Sequence, residues 1–171
     1  IKEAMQDHPA LLMVDCVSGL GALEFQMDAW GVDVALSGSQ KAFMIPPGLG
    51  FMAFSDRALK IHRRNTNHRF YWDVTEGLKY LEKGQTAFTP AVSLFYGLQE
   101  ALSMMLEEGL DHIIKRHRRY RDMVRASIRA MGLDLLAADT EASTAVTAVL
   151  APGRSGANQI RNRMLKRFNI A

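Results

Sequence analysis

The chain has 171 residues, 48% hydrophobic and 23% charged, with a net charge of +3 and a pI near 9.2, a mild balance that one basic helix accounts for. That composition suffices for an ordinary globular core. A single cysteine, Cys16, excludes an internal disulfide and a multi-cysteine metal site, no run approaches the roughly 18 apolar residues of a membrane span, and the N-terminus is no signal peptide, so a cytoplasmic protein is expected.

The chain opens without Met among helix-like residues, Ile1 to Met5. Leu11-Leu12-Met13-Val14 is a short unbroken apolar run ending at Asp15, the pattern of a buried, parallel strand. Open α/β sheets place ligands at the C-terminal ends of such strands, which is where Asp15 sits. Cys16 to Gly21 is a loop with two glycines, and Leu23 to Trp30 reads as a short connecting helix. Val32 to Leu36 is a second strand and Gly50 to Phe54 a third. Asp56 is the expected N-cap of a helix through Ala58, Leu59 and Ile61, and Asn65 to Tyr71 is a polar and aromatic loop.

The second half has a different texture. Trp72 to Leu81 is helical, Gly84 to Pro90 a turn region, and Ala91 to Glu108 a helix burying Leu94, Leu98, Ala101, Leu102 and Met105. Gly109 breaks it. Leu110 to Met131 is a long amphipathic helix with Ile113, Ile114, Tyr120, Val124 and Ile128 on its apolar side, and Gly132 stops it. Leu133–Leu136 and Ala145–Leu150 read as strands, Pro152-Gly153 as a turn and Asn158 to Arg167 as a last helix. An apolar strand starts at Phe168-Asn169-Ile170-Ala171, so the chain reads as a piece of a longer protein. The α/β alternation gives way near Gly109, which divides the chain into residues 1–108 and 109–171.

The stretch Ser37-Gly38-Ser39-Gln40-Lys41 and the turn Pro46-Pro47-Gly48-Leu49-Gly50 carry the chemistry. Small residues before Lys41 allow close backbone approach, and the proline-rich turn sets the exit direction. Amine chemistry requires such a held lysine beside apolar residues, because desolvation disfavours an ammonium. On spacing alone Lys41 equally suits a surface lysine beside a tight turn, and Asp15 a loop-capping carboxylate. The basic run Lys115 to Arg121 falls mostly outside the apolar stripe and reads as a solvated face, not a nucleic-acid site. His8, His112 and His117 lack metal-ligand companions, and no metal is expected.

Three blocks in order, Val14-Asp15-Cys16-Val17-Ser18-Gly19-Leu20-Gly21, then Ser37 to Lys41 with Pro46-Pro47-Gly48, then Phe88-Thr89-Pro90-Ala91-Val92-Ser93-Leu94, resemble the class V pyridoxal-phosphate aminotransferases. The branch they resemble most is that of serine–glyoxylate, alanine–glyoxylate and serine–pyruvate aminotransferases. The resemblance implies fold type I, with residues 1–108 the C-terminal part of the large mixed-sheet cofactor domain. Residues 109–171 would be a linking helix and the start of the small C-terminal domain. It implies that Lys41 forms the Schiff base with pyridoxal 5'-phosphate, Asp15 pairs with the pyridine nitrogen and Val17 packs on one cofactor face. Gln40 would bind the phosphate, with Ser18 and Ser39 either further donors or plain turn residues. Thr89, or Thr86 before it, would reach the phosphate of a partner subunit in a homodimer. The implied reaction moves an amino group from serine or alanine to a 2-oxo acid such as glyoxylate or pyruvate, with no nucleic-acid or membrane partner. A lyase or desulfurase on the same cofactor, or a binding module using the basic helix, are the alternatives. The family's glycine-rich phosphate turn and ring-stacking aromatic would lie upstream of Ile1, and its substrate-carboxylate arginine beyond Ala171.

Overall fold

Val34–Gly38 is the strand on which the first half of the chain is built. The computed structural model describes residues 1–151, 153 and 156–170, so Pro152 of the expected turn and Ala171 of the expected terminal strand lie outside the described residues. The chain forms two compact units, Ile1–Glu108 and Gly109–Ala171.

In the first unit, β1 (Met13–Asp15), β2 (Val34–Gly38) and β3 (Gly50–Phe54) form a mixed sheet in that order. β1 runs parallel to β2 with Asp15 opposite Leu36, and β3 is antiparallel, pairing Ser37 with Phe51 and Gly38 with Gly50. β2 is central and buried on both faces, which suits its valine, alanine and glycine. It starts two residues later than expected and takes in Ser37 and Gly38. β1 is parallel as expected but not buried. Met13 is 59% exposed, and β2 is the strand that pairs with β1 among the described residues.

The expected helix over Leu23 to Trp30 is absent. That segment closes as turns, with the Trp30 N–H donating to Gln26, Gly31 to Asp28 and Val32 to Met27. Gly31 takes φ +63°, a left-handed conformation that turns the chain before Val32 and Asp33 lead into β2. The helices of this unit are α1 (Lys2–Met5), α2 (Asp56–Arg64), α3 (Val74–Leu81) and α4 (Val92–Glu108). The N-cap of α2 is Ser55, not Asp56, because Ser55 has extended backbone and its hydroxyl accepts the Ala58 N–H. Asp56 occupies the first turn instead, where a carboxylate favours the helix dipole. On α4, Ala101 is buried while Leu102 is 40% exposed, so the expected inward stripe is narrower than its sequence suggests.

Asp33 ties the sheet together at the end opposite Lys41. Its buried carboxylate accepts the Leu12 N–H at 2.9 Å, the Ser55 hydroxyl at 3.1 Å and Arg57 Nη1 at 2.8 Å, with Lys2 Nζ at 3.6 Å. Burial pushes its pKa upward, but the Leu12 and Ser55 hydrogen bonds and the Arg57 and Lys2 charges outweigh that, and the net shift is downward. Folded Asp33 therefore holds its proton less readily than unfolded Asp33. Its contribution is full above the unfolded carboxylate value of about 3.9 and is lost as pH falls through the lower folded value. Asp33→Ala is expected to cost about 2 kcal/mol, the scale of stranding buried donors. Urea unfolding of wild type and variant at neutral pH and at pH 3 checks this, the difference between them shrinking in acid.

In the second unit, α5 (Leu110–Ala130) starts at Gly109, whose φ of +82° breaks the helical path after Glu108, and ends before Gly132 at φ +74°. β4 (Asp134–Leu135) and β5 (Val149–Leu150) pair antiparallel, and α6 (Gly156–Phe168) follows. The second expected strand is thus confined to its last two residues. Phe168 ends α6, so no strand begins there among the described residues.

The apolar stripe of α5 also differs from expectation. Ile113 and Ile114 are buried, but Tyr120 and Val124 are exposed, and Arg125 takes the inward position. Arg125 follows Ile114 by about three helical turns and so shares its face. Its Nε meets Asp139 Oδ1 at 2.6 Å and its Nη2 donates to the Ala137 carbonyl at 2.7 Å, which pairs the buried charge. Hydrogen bonds from Arg129 and then Arg125 hold the Asp139 carboxyl below its ordinary pKa. The basic run is not uniformly solvated either, since Arg121 donates to the Ala142 carbonyl at 3.3 Å and pairs with Asp122.

Candidate active site

Because β1 and β2 are parallel and in register, their C-terminal ends meet at one edge of the sheet. Asp15 is the last residue of β1, and the Cys16 N–H extends the pairing by donating to the Leu36 carbonyl at 2.8 Å. β2 leaves the sheet at Gly38, and residues 39–49 form a broad loop back to β3. Lys41 lies in that loop. The topology therefore delivers the aspartate and the lysine, 26 residues apart in sequence, to the same edge.

Asp15 is exposed. Its Oδ1 accepts the Val17 N–H at 2.9 Å, which orients the carboxylate, and Oδ2 has no hydrogen-bond partner among the described residues. Val17 is half-buried beside it. The following turn closes through Gly19 and Leu20 N–H groups on the Cys16 carbonyl. Gly21, at φ +85°, brings that turn against the residue after Lys41, and a Cβ there would stand 3.0 Å from the Ala42 Cβ. The turn after Asp15 and the Lys41 loop thus approach closely at Gly21 and Ala42. Burial pushes the Cys16 thiol up, and the adjacent Asp15 charge adds to the shift, so this cysteine is held as a neutral thiol.

Lys41 is exposed and forms no ion pair among the described residues. The shielding expected from its apolar neighbours is not supplied here, because Phe43 and Phe51 pack on each other with centroids 4.8 Å apart. The Lys41 carbonyl accepts the Met44 N–H at 2.9 Å in a tight turn that sets Met44 at φ +59°. Gln40 is exposed, and its amide folds back over Gly38. A Cβ on Gly38 would come within 2.8 Å of Gln40 Oε1, so glycine is what makes room for it.

Of its two readings, Ser39 takes that of a residue of the turn. It is fully buried, its hydroxyl donates to the Pro46 carbonyl at 2.8 Å and accepts the Leu49 N–H at 3.2 Å, and its proton is therefore committed inside the loop. Ser18 remains exposed. The loop rests on α4, where a Cβ on Gly48 would meet Leu94 Cδ1 at 2.5 Å and one on Gly97 would meet Ile45 Cγ2 at 3.4 Å.

Thr89 lies on the exposed connection between α3 and α4. Its hydroxyl forms no hydrogen bond among the described residues, whereas the Thr86 hydroxyl donates to the Phe88 carbonyl at 2.7 Å. The Phe88 ring stacks on Tyr71 at 4.4 Å, with Phe70 at 6.1 Å. Asp15, Val17, Gln40 and Lys41 are gathered at one sheet edge, and Thr89 stands on a separate connection. Neither Ser39's role nor the Gly21–Ala42 contact was found from sequence; the signal available was only the density of small residues around Lys41.

An amine free to meet an aldehyde, and a carboxylate with one oriented oxygen and one unclaimed, fit pyridoxal phosphate. The fold defines the broader class, fold type I. The chain matches the crystal structure of alanine–glyoxylate aminotransferase from Nostoc sp. with a TM-score of 0.90 and 30% identity, over 98% of this chain and 45% of that one. Within that class, the chain belongs to the aminotransferase class-V family, whose model matches residues 1–170. It is 42% identical over 166 residues to serine–glyoxylate aminotransferase of Arabidopsis thaliana, covering 96% of this chain and 41% of the relative. It is also 48% identical over 162 residues to a protein named soluble hydrogenase, small subunit, of Synechococcus sp. (strain PCC 6716), covering 95% and 42%. The chain thus spans less than half the length of the relatives it matches. No described helix is long and apolar enough to cross a membrane.

Proposed function

We propose that the protein carrying this chain is a pyridoxal-phosphate-dependent aminotransferase that moves an amino group from serine or alanine to a small 2-oxo acid such as glyoxylate or pyruvate. The observation that carries this reading is the meeting of Asp15 and Lys41 at one edge of the sheet. Pyridoxal phosphate, when bound, supplies an aldehyde and an electron-accepting ring. Lys41 would hold the cofactor through its amine and, as a free amine, would be the base that moves the proton at the substrate α-carbon. Asp15, through the carboxylate oxygen not taken by the Val17 N–H, would pair with the ring nitrogen and keep it protonated, and Val17 would pack beside the ring.

Gln40 would donate to the phosphate, and being uncharged it would need further donors. The free hydroxyl of Thr89, against the committed one of Thr86, supports Thr89 as the group offered to the phosphate of a second subunit. In this reading residues 1–108 are the C-terminal part of the large domain, and residues 109–171 begin the small one. The serine–glyoxylate relative supports the choice of substrates. Borohydride reduction of the full-length holoenzyme, followed by peptide mapping, is expected to leave the cofactor on Lys41. A label on any other lysine refutes the assignment. Screening amino donors against glyoxylate and pyruvate distinguishes transamination from lyase or desulfurase chemistry.

A further inference from the structure

We propose that Ser39 is a positioning residue for Lys41, a role that rests on the reading of Lys41 as the cofactor lysine. Three polar groups of this one residue make four hydrogen bonds to the opposite arm of the loop. Its N–H donates to the Leu49 carbonyl at 3.1 Å, its carbonyl accepts the Ile45 N–H at 3.4 Å, and its hydroxyl bridges the Pro46 carbonyl and the Leu49 N–H. Lys41 stands two residues along from this clamp, inside the loop that it closes.

The clamp matters because little else fixes the lysine. Lys41 is exposed and has no ion-pair partner among the described residues, so its amine is placed only by the backbone beneath it. That backbone is set on one side by Ser39 and on the other by the Met44 turn, which is held at a φ of +59° that a methionine rarely adopts. Beyond it, Ile45 rests on Gly97 and Gly48 on Leu94, so the far arm of the loop is anchored to α4. Ser39 passes that anchorage to the lysine arm. Without the hydroxyl, the Leu49 N–H and Pro46 carbonyl lose a partner, and residue 39 keeps only its two backbone bonds to the opposite arm. Misplacement by about 1 Å of a group that must meet both an aldehyde carbon and an α-proton costs roughly 10²-fold in rate.

The test uses the full-length holoenzyme with Ser39→Ala, Ser39→Cys and, as a control, Ser55→Ala. Ser55 also spends a hydroxyl in this unit, on the α2 N-cap and Asp33, but at the end of β3 away from the Lys41 loop. Ser39→Ala is expected to lower kcat roughly 10- to 100-fold with KM little changed. It should also move the pH midpoint of the bound cofactor's absorption band by at least about half a unit, since that midpoint reports the setting of the lysine nitrogen. Ser39→Cys, similar in volume but a weak donor, falls between, and Ser55→Ala lowers the thermal midpoint without moving the spectroscopic one. An unmoved midpoint in a folded Ser39→Ala holoenzyme overturns the proposal, as does an equal movement in Ser55→Ala. If Ser39→Ala does not fold, Ser39→Cys decides on the same readouts, a wild-type midpoint refuting the role. Failure of the underlying reading shows separately, as a borohydride label away from Lys41 in the wild type.

Discussion

Lys41→Ala in the full-length protein is expected to abolish transamination, with kcat falling at least about 10³-fold. Proton transfer by a positioned side chain is by itself worth about 10²–10⁴, and Lys41 is assigned the covalent hold on the aldehyde as well. Lys41→Arg is expected to be as inactive as the alanine variant. A guanidinium keeps the positive charge but stays protonated at any working pH, so it neither attacks an aldehyde nor accepts a proton. The pair of variants separates amine chemistry from simple charge. The fold should survive both, because the Lys41 side chain is exposed and only its carbonyl, bonded to the Met44 N–H, takes part in the turn. Added small primary amines should restore part of the lost rate in Lys41→Ala by supplying the missing base. Single-turnover kinetics with and without such an amine checks this. Retention of more than a tenth of wild-type kcat by Lys41→Arg would refute the assignment.

The strands were legible in the sequence where local pattern and tertiary environment agree. Gly50 to Phe54 is an apolar run bounded by a glycine and a helix-capping serine, and it is a strand at those limits. The parallel pairing of β1 was legible from its apolar run, and with it the delivery of Asp15 to the ligand edge. What was not legible depends on partners distant in sequence. The hydroxyl of Ser39 meets backbone groups seven and ten residues on, and nothing in the residue types near it encodes that closure. Arg125 is charged, so periodicity sets it on the outer face, yet a carboxylate and a carbonyl beyond the following strand make the inner position favourable. The Leu23 to Trp30 segment has apolar spacing that suits a helix. It closes instead through turns that end at Gly31, whose positive φ the apolar spacing does not encode. The exposure of Met13 depends on what covers its face of the sheet, which no local pattern carries.

Asp15→Asn is expected to lower kcat roughly 10²- to 10³-fold while leaving the fold intact, the scale seen when one preorganised electrostatic group is removed from a reacting centre. The asparagine side-chain carbonyl can still accept the Val17 N–H, so the turn after β1 keeps its shape and the change is confined to charge. A neutral amide cannot hold the ring nitrogen in its protonated form, and the ring then withdraws electrons poorly as the α-proton leaves. KM is expected to change less than kcat, because the loss falls on the step where charge develops. Cys16 supplies an independent readout in the same variant. The Asp15 charge is the smaller of the two causes that raise its thiol, burial being the larger. Removing the charge should bring the Cys16 pKa part of the way down, still above its ordinary value, as followed by thiolate ultraviolet absorbance. Asp15→Glu should retain the charge but place it about one methylene further out, where the contact with Val17 N–H is strained, giving activity between wild type and Asp15→Asn. Equal activity of Asp15→Asn and wild type, with the Cys16 shift present to prove that the charge is gone, would show that Asp15 only caps the turn after β1.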